Sequence, residues 1–367
     1  QQDEDIHTYT WPGQQVRMTL ERFAETRESD VRCEVKVESI DPFHGEEPIP
    51  LKVGQRLILG GPASRRDLVK ALAEENPQFP WSRMVEQVCY LALQRHRQGT
   101  PSIDLADVEL GESVRYLMRP VIPAGSVVIW YGSGGEAKSM LALAHMVAVA
   151  YNGNVAGALP ESTGKGMYLD WEDDDATHAE RMQAILRGME MRPSKGRIIY
   201  KRMATTLADS ARDLRTEIIR ENVKLVIVDS VGMAAGGDPS DANAIIRCMT
   251  ACRQLGVTVI AIHHLAKPQD GKKQNKDTPY GSIYAVNEAR STWLVEKDED
   301  STGMTLRVAM TNKKANRSRL QPRQAFTIDF TEGEDGRLIE VRFRRLSFLQ
   351  SANIGTTDRK WKILSAL

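Results

Sequence analysis

The chain has 367 residues, 41% hydrophobic and 27% charged, a balance that supports large buried cores and excludes a disordered or membrane-embedded chain. Its 49 Lys and Arg residues equal its 49 Asp and Glu residues, so the formal net charge is zero. No global field draws the molecule to a polyanion, and any such site must be a local patch.

The length is that of two or three domains. Near the start, VRMTLERFA and RCEVKVESI alternate apolar and polar residues with period two, which predicts a short antiparallel pair joined by ETRESD. RRDLVKALAEE and WSRMVEQVCYLALQRHR then carry helical spacing. Residues 1–98 therefore read as a small α+β accessory or adaptor domain, and residues 99–115, beginning near GTPSID, as a linker.

From about Ser126 the texture alternates strand and helix: SVVIWY, the helix of MLALAHMVAVAYNG, GMYLDW, and a helix with Met182, Ile185, Leu186 and Met189 on one face. RIIYKRM, LADSARDLRTEIIREN, KLVIVD, a helix from Ser240 or Asp241 to Gly256, and VTVIAI continue the pattern. Strands this uniformly apolar are buried on both faces, and their alternation with helices predicts a doubly wound, mostly parallel α/β sheet over residues 116–350. After His264 a polar loop, KPQDGKKQNKDTPYGS, leads to strand-like runs (STWLVE, MTLRVAM, AFTIDF, LIEVRFRRL) that are expected to extend the sheet at one edge, as antiparallel strands. The chain begins with Gln and stops at TTDRKWKILSAL, so both ends are expected to be cut from something longer. Residues 351–367 read as a linker and the opening of a further domain.

Cys33, Cys89, Cys248 and Cys252 contain no CxxC pair, and the last two are one helical turn apart, which predicts buried helix-face residues. No secretory signal is visible, and the longest apolar run falls short of the roughly 20 residues a membrane span needs. A reducing, cytoplasmic setting is the expectation.

Between SVVIWY and the next apolar run stands Gly132-Ser133-Gly134-Gly135-Glu136-Ala137-Lys138-Ser139, followed by Met140. A glycine-rich turn from strand to helix exposes backbone N–H groups in a concave nest at a helix N-terminus, which binds phosphate. Lys138 would reach the β- and γ-phosphates and Ser139 would coordinate Mg²⁺. The sequence departs from G-x-x-x-x-G-K-[ST] at Ala137. If that position requires positive φ, the alanine costs on the order of 1–2 kcal/mol; if glycine is preferred only because phosphate passes closely, one methyl crowds it modestly. Neither removes Lys138 or Ser139.

KLVIVDS ends an apolar strand in Asp229, the acid expected to hold Mg²⁺ through water, with Ser230 beside it. Between the two motifs, GMYLDWEDDD packs five acids into six residues: Asp170, Glu172, Asp173, Asp174 and Asp175. The last three suit the N-cap and first turn of the next helix. Glu172, at the end of its strand where open α/β sheets bind ligands, is the candidate general base.

These residues resemble the RecA-like ATPases in the branch containing the plasmid replicative helicase RepA, with the hexameric helicase DnaB more distant. The resemblance spans Tyr116 to Arg345, about two thirds of the chain. It implies Mg²⁺-ATP as ligand, Glu172 as catalytic glutamate with Arg181 nine residues on, and a γ-phosphate sensor at the His263-His264 pair, with His264 favoured by position. It also implies a nucleic-acid-facing loop carrying Lys267, Lys272, Lys273 and Lys276, a second central loop at GMAAGGDPSDAN, and Lys314 or Arg317 of TNKKANRSR completing a neighbouring subunit's site. Spacing around Lys314 is not the family's usual one, and Leu320-Gln321-Pro322 replaces its Gly-Pro.

The implied protein is a homo-oligomeric, hexameric motor on single-stranded DNA or RNA, as in replication of a plasmid, phage or mobile element. The amino-terminal domain would contact a replication or mobile-element protein, and the last helix would open a winged-helix tail. The alternative is an ATP-switched, recombinase- or KaiC-like assembly protein without processive unwinding; a structural protein with an inactive loop is the third reading.

Overall fold

A computed structural model describes residues 6–25, 30–40, 49–98, 102–108, 115–237, 241–265, 283–298, 303–347, 350 and 354. The four lysines of the polar loop, Lys267, Lys272, Lys273 and Lys276, lie outside the described residues, as do part of GMAAGGDPSDAN and all of TTDRKWKILSAL. The chain divides into two compact units, residues 1–110 and 111–367.

The first unit is a four-stranded antiparallel sheet in sequence order: β1 (His7–Trp11), β2 (Val16–Glu25), β3 (Val31–Ser39) and β4 (Ile49–Ile58). Val16, Met18 and Leu20 of β2 and Val31, Cys33, Val35 and Val37 of β3 point to one face, the alternation of a half-buried sheet. Helices α1 (Pro62–Glu75) and α2 (Trp81–Gln98) cover that face with Leu68, Leu72, Trp81, Val85 and Val88. The sequence reading anticipated only the central pair. β1 is five residues long, and β4 is largely exposed and interrupted by Pro50 and Gly54, so neither carries a clean period-two signal.

The second unit opens with the short antiparallel pair β5 (Tyr116–Met118) and β6 (Ile122–Pro123). Its main elements are β7 (Val127–Gly132), α3 (Lys138–Tyr151), β8 (Lys165–Asp170), α4 (Asp175–Gly188), β9 (Ile198–Arg202), α5 (Leu207–Arg220), β10 (Val223–Asp229), α6 (Val231–Ala235), α7 (Ala242–Gln254), β11 (Thr258–His264) and α8 (Ile283–Glu288). β12 (Ser291–Lys297), β13 (Thr305–Ala315), β14 (Gln324–Glu332) and β15 (Leu338–Arg345) complete it. The nine-stranded sheet runs β15-β14-β13-β12-β7-β11-β10-β8-β9, parallel from β12 to β9 and antiparallel from β12 through β15. This is the expected doubly wound, mostly parallel α/β class with an antiparallel edge. One assignment differs: STWLVE is no edge strand but β12, parallel to β7 and buried along almost its whole length. Burial on both faces, as in the other parallel strands, is the physical signature its short apolar run carries.

Side chains alternate between two cores. α3 and α4 lie on one face and α5 to α8 on the other. The antiparallel strands contribute Val308, Met310, Phe326, Ile328 and Val341 to the core of the α3 face, so eleven of the fourteen α3 residues are buried. α4 reaches β15 so closely that a Cβ at Gly188 would fall 1.9 Å from the Val341 carbonyl oxygen. All four cysteines are buried and in no disulfide, and Cys248 and Cys252 lie one turn apart on α7, the expected buried helix face. No helix among the described residues is long and apolar enough to cross a membrane.

Candidate nucleotide site

The period-two geometry of the strands decides which motif residues can meet. Val128 and Trp130 of β7, Tyr168 of β8, Leu225 and Ile227 of β10, and Ile260 and Ile262 of β11 all face α3. Continuing each alternation to the strand's carboxyl end puts Gly132, Asp170, Asp229 and His264 on that same face. Four motifs scattered over more than a hundred residues therefore converge at the N-terminus of α3, at the carboxyl edge where open α/β sheets hold ligands.

The loop from Gly132 to Ala137 turns β7 into α3. Ala137 has φ 59° and ψ 21°, the left-handed region, which decides between the two readings of this position: the backbone does demand positive φ. The loop keeps the conformation because it is held from several sides. Gly132 sits against β12, where a Cβ would lie 2.3 Å from the Val295 carbonyl oxygen. The Glu136 carboxylate accepts the backbone N–H of Lys297 at the end of β12, and burial pushes that carboxyl above its ordinary pKa. Ala137 and Met140 pack against the core beneath. A Cβ at Gly134 would meet nothing, so the mouth of the loop is open.

Lys138, 4% exposed, donates to the carbonyl oxygens of Gly132 at 3.1 Å and Ser133 at 2.7 Å. Burial lowers its pKa, opposed by the nearby carboxylates of Asp229, Glu136 and Glu172. The Tyr168 hydroxyl donates to Asp229 Oδ2 at 2.6 Å, and the Ser139 hydroxyl lies beside that pair. Burial raises the Asp229 pKa, while those hydroxyls act in the other direction.

The acidic turn divides its carboxylates by role. Asp170, 1% exposed, is a structural hub: it accepts the N–H groups of Glu172 and Asp173, His178 Nε2 at 3.0 Å and the Tyr200 hydroxyl at 3.0 Å. Burial alone would raise its pKa, but the bonds from His178, the two N–H groups and Tyr200 bring it down to about 2. Asp174 caps α4 by accepting the Thr177 N–H, and Asp175 lies in the first turn, the anticipated dipole-compatible arrangement. Arg181 pairs with Asp173 at 3.0 Å. Glu172 alone projects into the site, nearly half exposed. Its Oε1 accepts the Ser230 hydroxyl at 2.5 Å and lies 3.7 Å from His264 Nε2. His264, then burial in the opposing sense, then Ser230 set its pKa, with a net lowering. His263 points to the opposite face, buried, with its Nδ1 accepting the His264 N–H and its pKa lowered by burial to about 4.

Lys314 and Arg317 are elsewhere. Lys314 pairs in register with Thr292, itself opposite Ile129, and donates to the Val286 and Asn287 carbonyls of α8, on the sheet face away from α3. Arg317 reaches Ser126 Oγ at 3.5 Å, before the start of β7. Six residues of strand, about 20 Å, separate Ser126 from Gly132. Arg290, adjacent to Ser126 through its N–H to the Val127 carbonyl, adds a third cation at this remote end.

Sequence reading did not assign Tyr168, His178, Tyr200 or Lys297 to this region. Tyr168 was legible in one respect, since GMYLDW points residue 168 to the same face as Asp170. Lys297, whose Nζ lies 3.8 Å from where a Cβ of Gly135 would be, had no local signal, because the position of β12 beside β7 is a long-range feature.

Among the described residues no group of three or more His, Cys, Asp and Glu side chains is placed to hold a metal. The donor set fits Mg²⁺ nonetheless: Mg²⁺ is ordinarily bound through one or two protein oxygens, phosphate and water, and Ser139 and Asp229 supply two adjacent oxygens beside the open phosphate loop.

Strand-loop-helix geometry, a buried lysine, a hydroxyl-carboxylate pair and a projecting glutamate together define a P-loop nucleotide site. The model of a family described as an AAA domain matches residues 95–270, which include this site, and the match supports a P-loop ATPase. No curated protein matches the chain. Among solved structures, a KaiC-like protein of the hyperthermophilic archaeon Pyrococcus horikoshii OT3 is similar at 17% identity and a TM-score of 0.43, over 63% of this chain and 94% of that one.

Proposed function

We propose that the chain is a RecA-like ATPase that assembles head to tail into a ring, hexameric by resemblance, and moves on single-stranded nucleic acid. The observation that carries the hydrolytic part is the position of Glu172. An ionised carboxylate bonded to Ser230 and facing His264 stands on the same sheet face as Lys138 and Asp229. A site for binding alone would need the loop and the metal ligands but no such glutamate.

In this reading the backbone N–H groups of residues 133–139 and Lys138 bind the phosphates, and Ser139 and Asp229 would hold Mg²⁺, whose charge would offset that developing on the transferred group. Glu172 orients the attacking water and accepts its proton, and His264 contacts the γ-phosphate end. The ammonium of Lys138 leaves its two loop carbonyls to meet phosphate. Lys314 and Arg317 lie on the wrong face and end of their own sheet to serve the same chain's loop, which supports their acting on the next subunit. Their supply in trans would make hydrolysis depend on assembly.

ATP hydrolysis measured with and without single-stranded DNA, on wild type, Lys138→Ala and Glu172→Gln, tests the reading. Hydrolysis that depends on both residues and rises with the strand supports it; hydrolysis intact in Lys138→Ala sinks it. ATP-dependent assembly on DNA without strand displacement would replace the motor with the switched assembly protein.

A further inference from the structure

We infer that Tyr168 is a positioning residue for the metal half of the site, its hydroxyl holding the Asp229 carboxylate in register with the Ser139 hydroxyl. The inference rests on the proposed nucleotide site and adds a residue to it. Tyr168 lies one strand away from Asp229: β8 and β10 are neighbours, and Ile227 pairs with Tyr168 while Asp229 pairs with Asp170. Its ring, 1% exposed, is fixed in the α3-face core and packs against His178 with ring centroids 4.4 Å apart. A phenol so held can deliver its single proton in one direction, and that direction is Asp229 Oδ2 at 2.6 Å.

Asp229 is itself 6% exposed, so few waters can orient it. A buried carboxylate at a strand end has two rotational degrees of freedom and would otherwise turn toward whichever donor is nearest, including Lys138. With Tyr168 bonded to it and the Ser139 hydroxyl beside it, the carboxylate and the serine hydroxyl stay side by side as one ligand pair. Partners that orient a metal ligand without touching the metal commonly change metal affinity about 10- to 100-fold when removed. Tyr200 provides an internal contrast. It also gives its hydroxyl to an acid of this network, but to Asp170, which faces the Glu172 turn and not Ser139.

The test is equilibrium binding of a fluorescent ATP analogue across a Mg²⁺ titration and in EDTA, with the unfolding temperature of each protein recorded alongside. For Tyr168→Phe the Mg²⁺ concentration at half-effect should rise about tenfold, at the lower end of that range, with binding in EDTA unchanged. Tyr200→Phe should leave the Mg²⁺ midpoint where it is. In an Asp229→Asn background, Tyr168→Phe should make no further difference, since its route through Asp229 is gone. An unchanged midpoint in Tyr168→Phe, an equal shift in Tyr200→Phe, or a full additional shift in the Asp229→Asn background overturns the inference. A wild type that binds no nucleotide at all would overturn the site itself, a result distinct from any of these.

Discussion

Glu172 and His264 are 92 residues apart in sequence, and their side chains face each other at 3.7 Å across the ends of β8 and β11, with β10 between. His264 is the main influence lowering the Glu172 pKa, and the Ser230 hydroxyl adds to it. Because the folded value is depressed, the carboxylate is charged at every pH above the ordinary glutamate value of about 4.3 and loses charge only as pH falls through the lowered value. Hydrolysis is therefore expected to show no acid limb from Glu172 between pH 5 and pH 8 (on the order of its ordinary range and above). Glu172→Gln should lower kcat by about 100-fold or more while nucleotide binding persists. A pH-rate profile and a binding isotherm check both; loss of binding in Glu172→Gln would assign the residue to the ligand pocket and not to the chemical step.

Ala137 holds a left-handed conformation that disfavours any side chain by about 1–2 kcal/mol. Glycine would relieve that strain, but it gains about 0.5–1 kcal/mol of unfolded-state freedom and gives up the methyl contact with the core. Ala137→Gly should therefore stabilise by less than about 1 kcal/mol and leave nucleotide affinity equal or tighter. Urea unfolding and nucleotide titration measure the two effects separately. A clear loss of stability would mean that the methyl packing outweighs the backbone strain.

The same residue marks the boundary of what the sequence could reveal. The strand-loop-helix around Gly132–Ser139, the strand ending at Asp229 and the acidic turn after β8 were legible because each is local: apolar run, turn residues and functional side chain are contiguous. Ala137's φ was not, since the same letters suit a tight αL turn or a relaxed one, and the contacts that impose the turn come from Val295 and Lys297, far along the chain. β12 was misjudged for a related reason. Its residues announce a buried strand but not which neighbour it pairs with, and its insertion beside β7 depends on strand order. Arg181 shows a third kind of limit: the resemblance implied it by its place nine residues after Glu172, and in the fold its guanidinium pairs with Asp173, a contact that spacing alone does not select.

Separation of Lys314 and Arg317 from Lys138 leads to a complementation experiment. Lys138→Ala disables a subunit's own loop, and a Lys314→Ala/Arg317→Ala protein disables only what it gives its neighbour. Each alone should hydrolyse ATP at least about 1000-fold more slowly than wild type if the cations act on transition-state charge. Mixed in equal amounts, the two proteins should recover activity, because in a head-to-tail assembly about a quarter of the interfaces would join an intact loop to an intact donor. No recovery from a mixture that demonstrably exchanges subunits would confine Lys314 and Arg317 to the structural roles they have within one chain, anchoring α8 and the start of β7.

Asp170 should make stability fall on the acid side. Its carboxyl sits at about 2 in the folded protein against an ordinary value near 3.8, so the unfolded chain binds its proton more tightly than the folded one. The resulting stabilisation, about 2 kcal/mol, is complete above the ordinary value and disappears as pH falls from about 4 to about 2. Asp170→Asn keeps the size of the side chain and one acceptor oxygen but lacks the charge, and its new N–H₂ group faces donors from Glu172, Asp173, His178 and Tyr200. Its deficit relative to wild type should therefore be largest near pH 7 and shrink steadily below about pH 4, which chemical denaturation of both proteins across that range measures directly. A deficit independent of pH would mean that Asp170 stabilises the turn through shape alone, with its charge making no difference.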